Sequence, residues 1–156
     1  FSHLRLGAGY TKPTTWLGED SFVHAEFWGQ VSNNALPSAE QLYIGGRFDE
    51  RGYTFAEAQG DSGISATLSV GRDAFPDASA LRSLRPFAFL DFGYVTSNQT
   101  DRPGLQDNTF TSVGVGVDME FGQNVFVSTH IAMPLTDGPL TDAHDPALYI
   151  SLTRSW

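Results

Sequence analysis

Cysteine is absent from this sequence and lysine nearly so: Lys12 is the single lysine, and Lys plus Arg total 9 against 18 Asp plus Glu in 156 residues. Without cysteine there is no disulfide framework, no thiolate metal site and no Cys nucleophile. The net charge of −9 leaves no basic stripe to follow a phosphate backbone, so nucleic acid is excluded as a partner. Charged residues are 17% and aromatics 13%. A disordered tail would be richer in charge and poorer in rings. Long apolar runs are also missing, which excludes a transmembrane helix. His3, His24, His130 and His144 are scattered without ligand spacing. Asp137, Asp142, His144 and Asp145 cluster in one polar stretch that reads as a solvated acidic loop, so no metal and no cofactor is expected.

What is present is alternation. Apolar and polar residues alternate with period 2 in seven runs: 2–11, 22–32, 62–72, 85–96, 110–121, 124–133 and 147–156. In the third, Ile64, Ala66, Leu68 and Val70 oppose Ser65, Thr67, Ser69 and Gly71. In the fourth, Ala88, Leu90, Phe92 and Tyr94 oppose Phe87, Phe89, Asp91 and Gly93. No segment has a convincing helical period, although 77–84 has room for one helical turn. The fold class is all-β.

The runs are longer than the five or six residues usual in soluble sheets and match the length of a tilted membrane strand. Connections alternate as well. Phe121-Gly122-Gln123-Asn124 is tight, whereas 97–109 and 134–146 are long and polar. Transmembrane barrels pair short inner turns with long outer loops, and face their apolar side outward. On that reading Glu26, Arg72, Asp118, Glu120 and His130 face a polar lumen. Tyr10, Phe22, Tyr94, Phe110, Phe121 and Trp156 stand where interfacial aromatics are expected. The expected fold is therefore an antiparallel transmembrane β-barrel portion of about seven long strands, with a long inserted loop at 33–61.

The stretch Leu36-Pro37-Ser38-Ala39-Glu40-Gln41, the pair Gly45-Gly46, the triplet Arg51-Gly52-Tyr53 and the opening Gly60-Asp61-Ser62-Gly63 follow one another in order. Phe89-Leu90-Asp91-Phe92-Gly93 comes two strands later, and the chain closes on a strand with Ile150, Leu152 and Trp156. This order resembles the outer-membrane transporters of two-partner secretion, the haemolysin and filamentous-haemagglutinin export barrels. Glu50 departs from that pattern, which prefers Val before the Arg-Gly-Tyr triplet. The resemblance implies a C-terminal barrel portion spanning 1–156, with the first strands and the periplasmic POTRA domains outside it. It implies a pore in the outer membrane of a Gram-negative bacterium that translocates a secreted partner polypeptide. Outer-membrane lipid and, during insertion, the barrel-assembly machinery are the other partners. It further implies that the 33–61 loop folds into the lumen, where Arg51 meets Asp91 on the inner wall. Gly52 then allows close approach, Tyr53 packs the tip, and Gly93 leaves space beside Asp91. Phe87 and Phe89 flank the guanidinium, and Ile150, Leu152 and Trp156 form the terminal barrel signal.

Two other non-enzymatic readings compete: a barrel-assembly factor of the same superfamily, and a soluble β-sandwich binding module of lectin or jelly-roll type. An enzyme is not expected. Gly60-Asp61-Ser62-Gly63 matches the order around a trypsin-like serine nucleophile, but the Ala-Ala-His-Cys segment of those proteases is absent.

Overall fold

The computed structural model describes residues 2–75, 80–98, 108–122 and 124–155. Seven long strands form one antiparallel sheet: β1 (His3–Thr14), β2 (Ser21–Ser32), β5 (Ser62–Arg72), β6 (Leu81–Thr96), β7 (Asn108–Phe121), β8 (Val125–Pro134) and β9 (Ala147–Arg154). Their spatial order, β1-β2-β5-β6-β7-β8-β9, follows the chain. Every neighbouring pair is antiparallel and the sheet is open, with edges at β1 and β9. All seven alternating runs are strands. Lys12, Pro13 and Thr14 extend the first beyond its predicted end; β1 is an edge strand, where a residue lacking an N–H is tolerated. Residues 81–84 are strand rather than helix, because β6 continues down alongside β7 as far as Phe121.

Pairing fixes the faces. Thr67 stands opposite Asp91, Asp91 opposite Ser112, and Glu26 opposite Thr67, so these residues share one side. The other side carries Leu68, Leu90, Phe92, Val115, Ile131, Leu148, Ile150 and Leu152, all exposed. An apolar face turned outward is the reverse of a soluble sandwich, which buries that face against a second sheet. The soluble-module reading is therefore set aside.

The connection 33–61 is not irregular throughout. It holds a single 3₁₀ turn (Ser38–Glu40) and a short hairpin of β3 (Leu42–Ile44) and β4 (Ala58–Gly60). Leu42, Ile44, Tyr53 and Ala58 of this connection pack with Val95 of β6 and Phe110 of β7, and Trp28 of β2 closes against them. The polar face of the sheet thus carries a small apolar core at the ends of these strands, where sequence patterning alone suggests none. Phe110 is fully buried there and is not an interfacial aromatic. Phe22 also lies on the Asp91 face, with the Arg85 guanidinium 5.1 Å above its ring. Trp156 lies outside the described residues.

Candidate functional site

Asp91 stands in the middle of β6 and is wholly buried under the 33–61 loop. It accepts four hydrogen bonds. Arg51 donates from Nε to Oδ2 at 2.8 Å, from a terminal guanidinium nitrogen to Oδ1 at 2.7 Å, and from its backbone N–H to Oδ2 at 3.0 Å. Thr67 on β5 donates its hydroxyl to Oδ1 at 2.9 Å. The guanidinium presents two parallel donors to the carboxylate, the geometry that suits Arg rather than Lys. Its carbon also sits 3.4 Å from the centre of the Phe89 ring, within the range of a cation–π contact. Phe87 does not stack on the guanidinium as expected; it lies 6.2 Å from Phe89, against Gly116. The Arg51 side chain is 11% exposed and the Asp91 side chain 0%.

The residues flanking Arg51 each have a receptor on the sheet. Gly52 has φ +102°, a conformation that favours glycine, and lies against Pro134. Its N–H donates to the Tyr149 hydroxyl of β9 at 3.0 Å. The Tyr53 ring packs edge-on to Phe110 at 5.0 Å. Its hydroxyl lies 2.9 Å from the carbonyl oxygens of Thr111 and Thr136 and 2.7 Å from the Thr136 hydroxyl. Tyr149 in turn stacks on His130 at 4.8 Å, and His130 meets Phe89 edge-on at 6.0 Å.

Glu50 occupies the space that Gly93 leaves open. A methyl group built on Gly93 would lie 2.7 Å from the Glu50 side chain. Glu50 is fully buried at φ +41°, and neither carboxylate oxygen has a hydrogen-bond partner. Burial pushes its pKa up to about 8, and the nearby charges of Asp49 and Asp91 push the same way. Burial likewise raises the carboxyl of Asp49, with Glu26 and Asp91 adding to it and Arg51 opposing.

The root of the loop is tied by Asp61. It accepts from the Leu36 N–H at 2.8 Å, Gln41 Nε2 at 2.9 Å, the Ser97 hydroxyl at 3.1 Å and the Asn98 N–H at 2.6 Å. Burial alone would raise this carboxyl, but the donors Gln41, Leu36, Asn98 and Ser97 together hold it below the usual range. Ser62 bonds only to the Ser32 backbone among the described contacts, not to a histidine base.

Of the residues expected along a polar lumen, Glu26, Asp118, Glu120 and His130 share the Asp91 face through the strand pairing. Arg72 does not. It falls on the face of Ile64, Leu68 and Val70, at the end of β5, with its guanidinium against Gly18. The alternation in β5 continues one residue past its apolar run, and that last position belongs to the outer face. A cavity of about 690 Å³ opens beside Arg51, lined among others by His24, Ser69, Arg85, Phe87 and Asp118. The acidic outer cluster does not converge on a metal site among the described residues; Asp137 instead accepts the Ala143 N–H at 2.8 Å. Sequence patterning missed Thr67, Tyr149 and Thr136 as partners of the loop tip. Their only signal is a place on the polar face or in the connection beyond β8.

A family model described as haemolysin secretion/activation protein ShlB/FhaC/HecB matches residues 1–120. Among solved structures, CdiB from Escherichia coli is similar with a TM-score of 0.81 at 22% identity, over 99% of this chain. The match covers 27% of the CdiB chain, so this chain spans about a quarter of that protein's length. A comparison with curated proteins gives no match.

Proposed function

Since the chain belongs to the ShlB/FhaC/HecB family of haemolysin secretion/activation proteins, we propose that it forms the C-terminal part of an outer-membrane pore that exports a partner polypeptide. The 33–61 loop is the moving part of this pore, and Arg51 on Asp91 is its lock. The observation that carries the reading is the buried pair itself: a loop arginine making three hydrogen bonds to a strand carboxylate that is 0% exposed. Removing one partner of such a pair costs about 3–5 kcal/mol, because it strands a buried charge. That is enough to favour one loop position strongly and still small enough to be overcome when a substrate engages.

The outward apolar strands face outer-membrane lipid, and the face of Glu26, Asp118, Glu120 and His130 lines the conduit. Insertion requires closure of the open edges at β1 and β9 by further strands, since lipid cannot satisfy unpaired backbone groups; the barrel-assembly machinery is the partner for that step. The family is one of secretion and activation proteins, which favours export over assembly of other barrels. The test is planar-bilayer conductance and partner secretion for Arg51→Ala and Asp91→Ala in the complete transporter. Both variants are expected to show larger or more frequent openings and reduced secretion. Conductance and secretion equal to those of the parent would end the lock reading.

A further inference from the structure

Glu57 lies six residues beyond Arg51 and is 4% exposed, yet among the described residues no Lys or Arg pairs with it. Four donors satisfy its carboxylate, and three of them come from a different loop. Leu140 and Thr141 donate their backbone N–H groups to Oε1 at 2.6 and 2.9 Å, and the Thr141 hydroxyl donates to Oε2 at 2.7 Å. The fourth is the Thr54 N–H, at 3.0 Å to Oε2. The connection between β8 and β9 is shaped to receive it. A methyl group on Gly138 would come within 2.4 Å of Oε1, so only glycine leaves the carboxylate room. On the other side, Gly45 has φ +100° and lies against the Glu57 Cβ, and Ala56 is held at φ +54°. A non-glycine residue held at that φ is a local cost that surrounding contacts must outweigh. The backbone turns at Ala56 just before Glu57, and Gly45 packs against its Cβ.

The contact is not isolated. Thr54 and Thr141 touch hydroxyl to hydroxyl at 3.1 Å, and the Tyr53 hydroxyl reaches Thr136. Residues 53–57 of the inserted loop thus lie along residues 136–141 of the β8–β9 connection. We propose that Glu57 is a second positioning residue of the inserted loop, and that the β8–β9 connection is its receptor. This rests on the reading that the loop is the moving part of the pore. It adds a point of attachment on a different element from Asp91. The loop cannot leave the sheet wall without undoing the Glu57 contacts or carrying residues 136–141 with it. Opening is therefore coupled to the β8–β9 connection and is not decided at Asp91 alone. If that connection shifts, the carboxylate loses three of its four donors while still buried, which is costly for a charge.

Hydrogen–deuterium exchange on the complete transporter in lipid nanodiscs tests this, read on peptides covering 50–57 and 136–141. Glu57→Gln keeps one oxygen for the Leu140 and Thr141 N–H groups but puts a donating amide nitrogen where Oε2 accepts from the Thr54 N–H and the Thr141 hydroxyl. It is expected to speed exchange in both segments by about tenfold or more, the scale of one charge-assisted hydrogen bond. Thr141→Val removes one donor and should speed both segments by a smaller factor, whereas Thr141→Ser keeps the hydroxyl and should restore the parent rates. Faster exchange in 136–141 with 50–57 unchanged would overturn the proposal, since Glu57 would then only cap the outer turn. Loss of the Thr141→Val and Thr141→Ser difference would overturn it too, even if Glu57→Gln fails to fold. Asp91→Asn separates the two ideas: if it leaves 50–57 at parent rates, the lock at Asp91 fails, whatever Glu57 does.

Discussion

Docking of the inserted loop should weaken as pH rises, and Glu50 sets the window. Its pKa is raised from 4.5 to about 8 where it lies buried on Gly93. The docked loop therefore holds a proton on Glu50 that an undocked, solvated loop releases above pH 4.5. Docking is strongest below pH 4.5, loses about 1.4 kcal/mol per pH unit above it, and levels off beyond pH 8. By pH 7 the accumulated loss is about 3 kcal/mol, comparable with the lower estimate for breaking the Arg51–Asp91 pair. The groups facing Glu50 act in the same direction: Asp49 on the loop is also raised, with Glu26 of β2 and Asp91 of β6 as its acidic neighbours. Arg51 opposes them on Asp49. Because these 156 residues hold no cysteine, Ala58→Cys gives a reporter at a loop position that is buried against Val95 and Phe110 while the loop is docked. Its rate of thiol labelling, corrected for thiolate fraction with a free-thiol control, measures the undocked population. Between pH 5 and 8 that population should rise by about two orders of magnitude or more. Glu50→Gln, a neutral isostere, should flatten most of the dependence. A corrected slope that is unchanged in Glu50→Gln would refute the reasoning, because the titrating group would then lie elsewhere.

Three further outcomes follow from single contacts. Tyr53→Phe removes a hydroxyl shared by Thr111 and Thr136; it should weaken loop docking by about 1–3 kcal/mol, seen as faster protease cleavage within 45–56. Gly93→Ala places a methyl group 2.7 Å from Glu50; a cost of about 1–3 kcal/mol is expected, and Glu50→Ala in the same chain should recover it in a double-mutant cycle. Asp61→Ala strands the buried donors of Leu36 and Gln41 and frees the N–H of Asn98; thermal unfolding should show a loss of about 3 kcal/mol or more. The parent's own stability at this root should fall as pH drops through the lowered carboxyl of Asp61, the opposite slope to that of Glu50.

Strand positions were legible because period 2 is a local property of each run. The short link from β7 to β8 and the long opposite connections were legible for the same reason. The ion pair was legible only through the order of the motifs, since nothing in the spacing of Arg51 and Asp91 requires contact. What the sequence could not show came from packing across elements. Phe110 and Phe22 read as interfacial aromatics because strand-end position is all that a run reveals; the loop lies over one, and Arg85 covers the other. Arg72 was misplaced because its charge was weighed over its position: the alternation of its own run already sets it with Ile64, Leu68 and Val70 on the outer face. Glu50 stood out as a departure from the family pattern, but its burial against Gly93 needs the loop in place. Glu57 had no signal at all: a glutamate in a polar loop is normally solvated, and three of its four donors lie more than eighty residues away along the chain.

The central claim is that a loop seated on the sheet wall must leave it for export to occur. Thr54 and Thr141 offer the most direct test, because their hydroxyls lie 3.1 Å apart and these 156 residues hold no competing cysteine. Thr54→Cys with Thr141→Cys in the complete transporter should form a disulfide on oxidation. Secretion of the partner should stop when the bond forms and resume when it is reduced, with each single variant secreting throughout. Undiminished secretion through a transporter shown to be fully cross-linked would contradict the account.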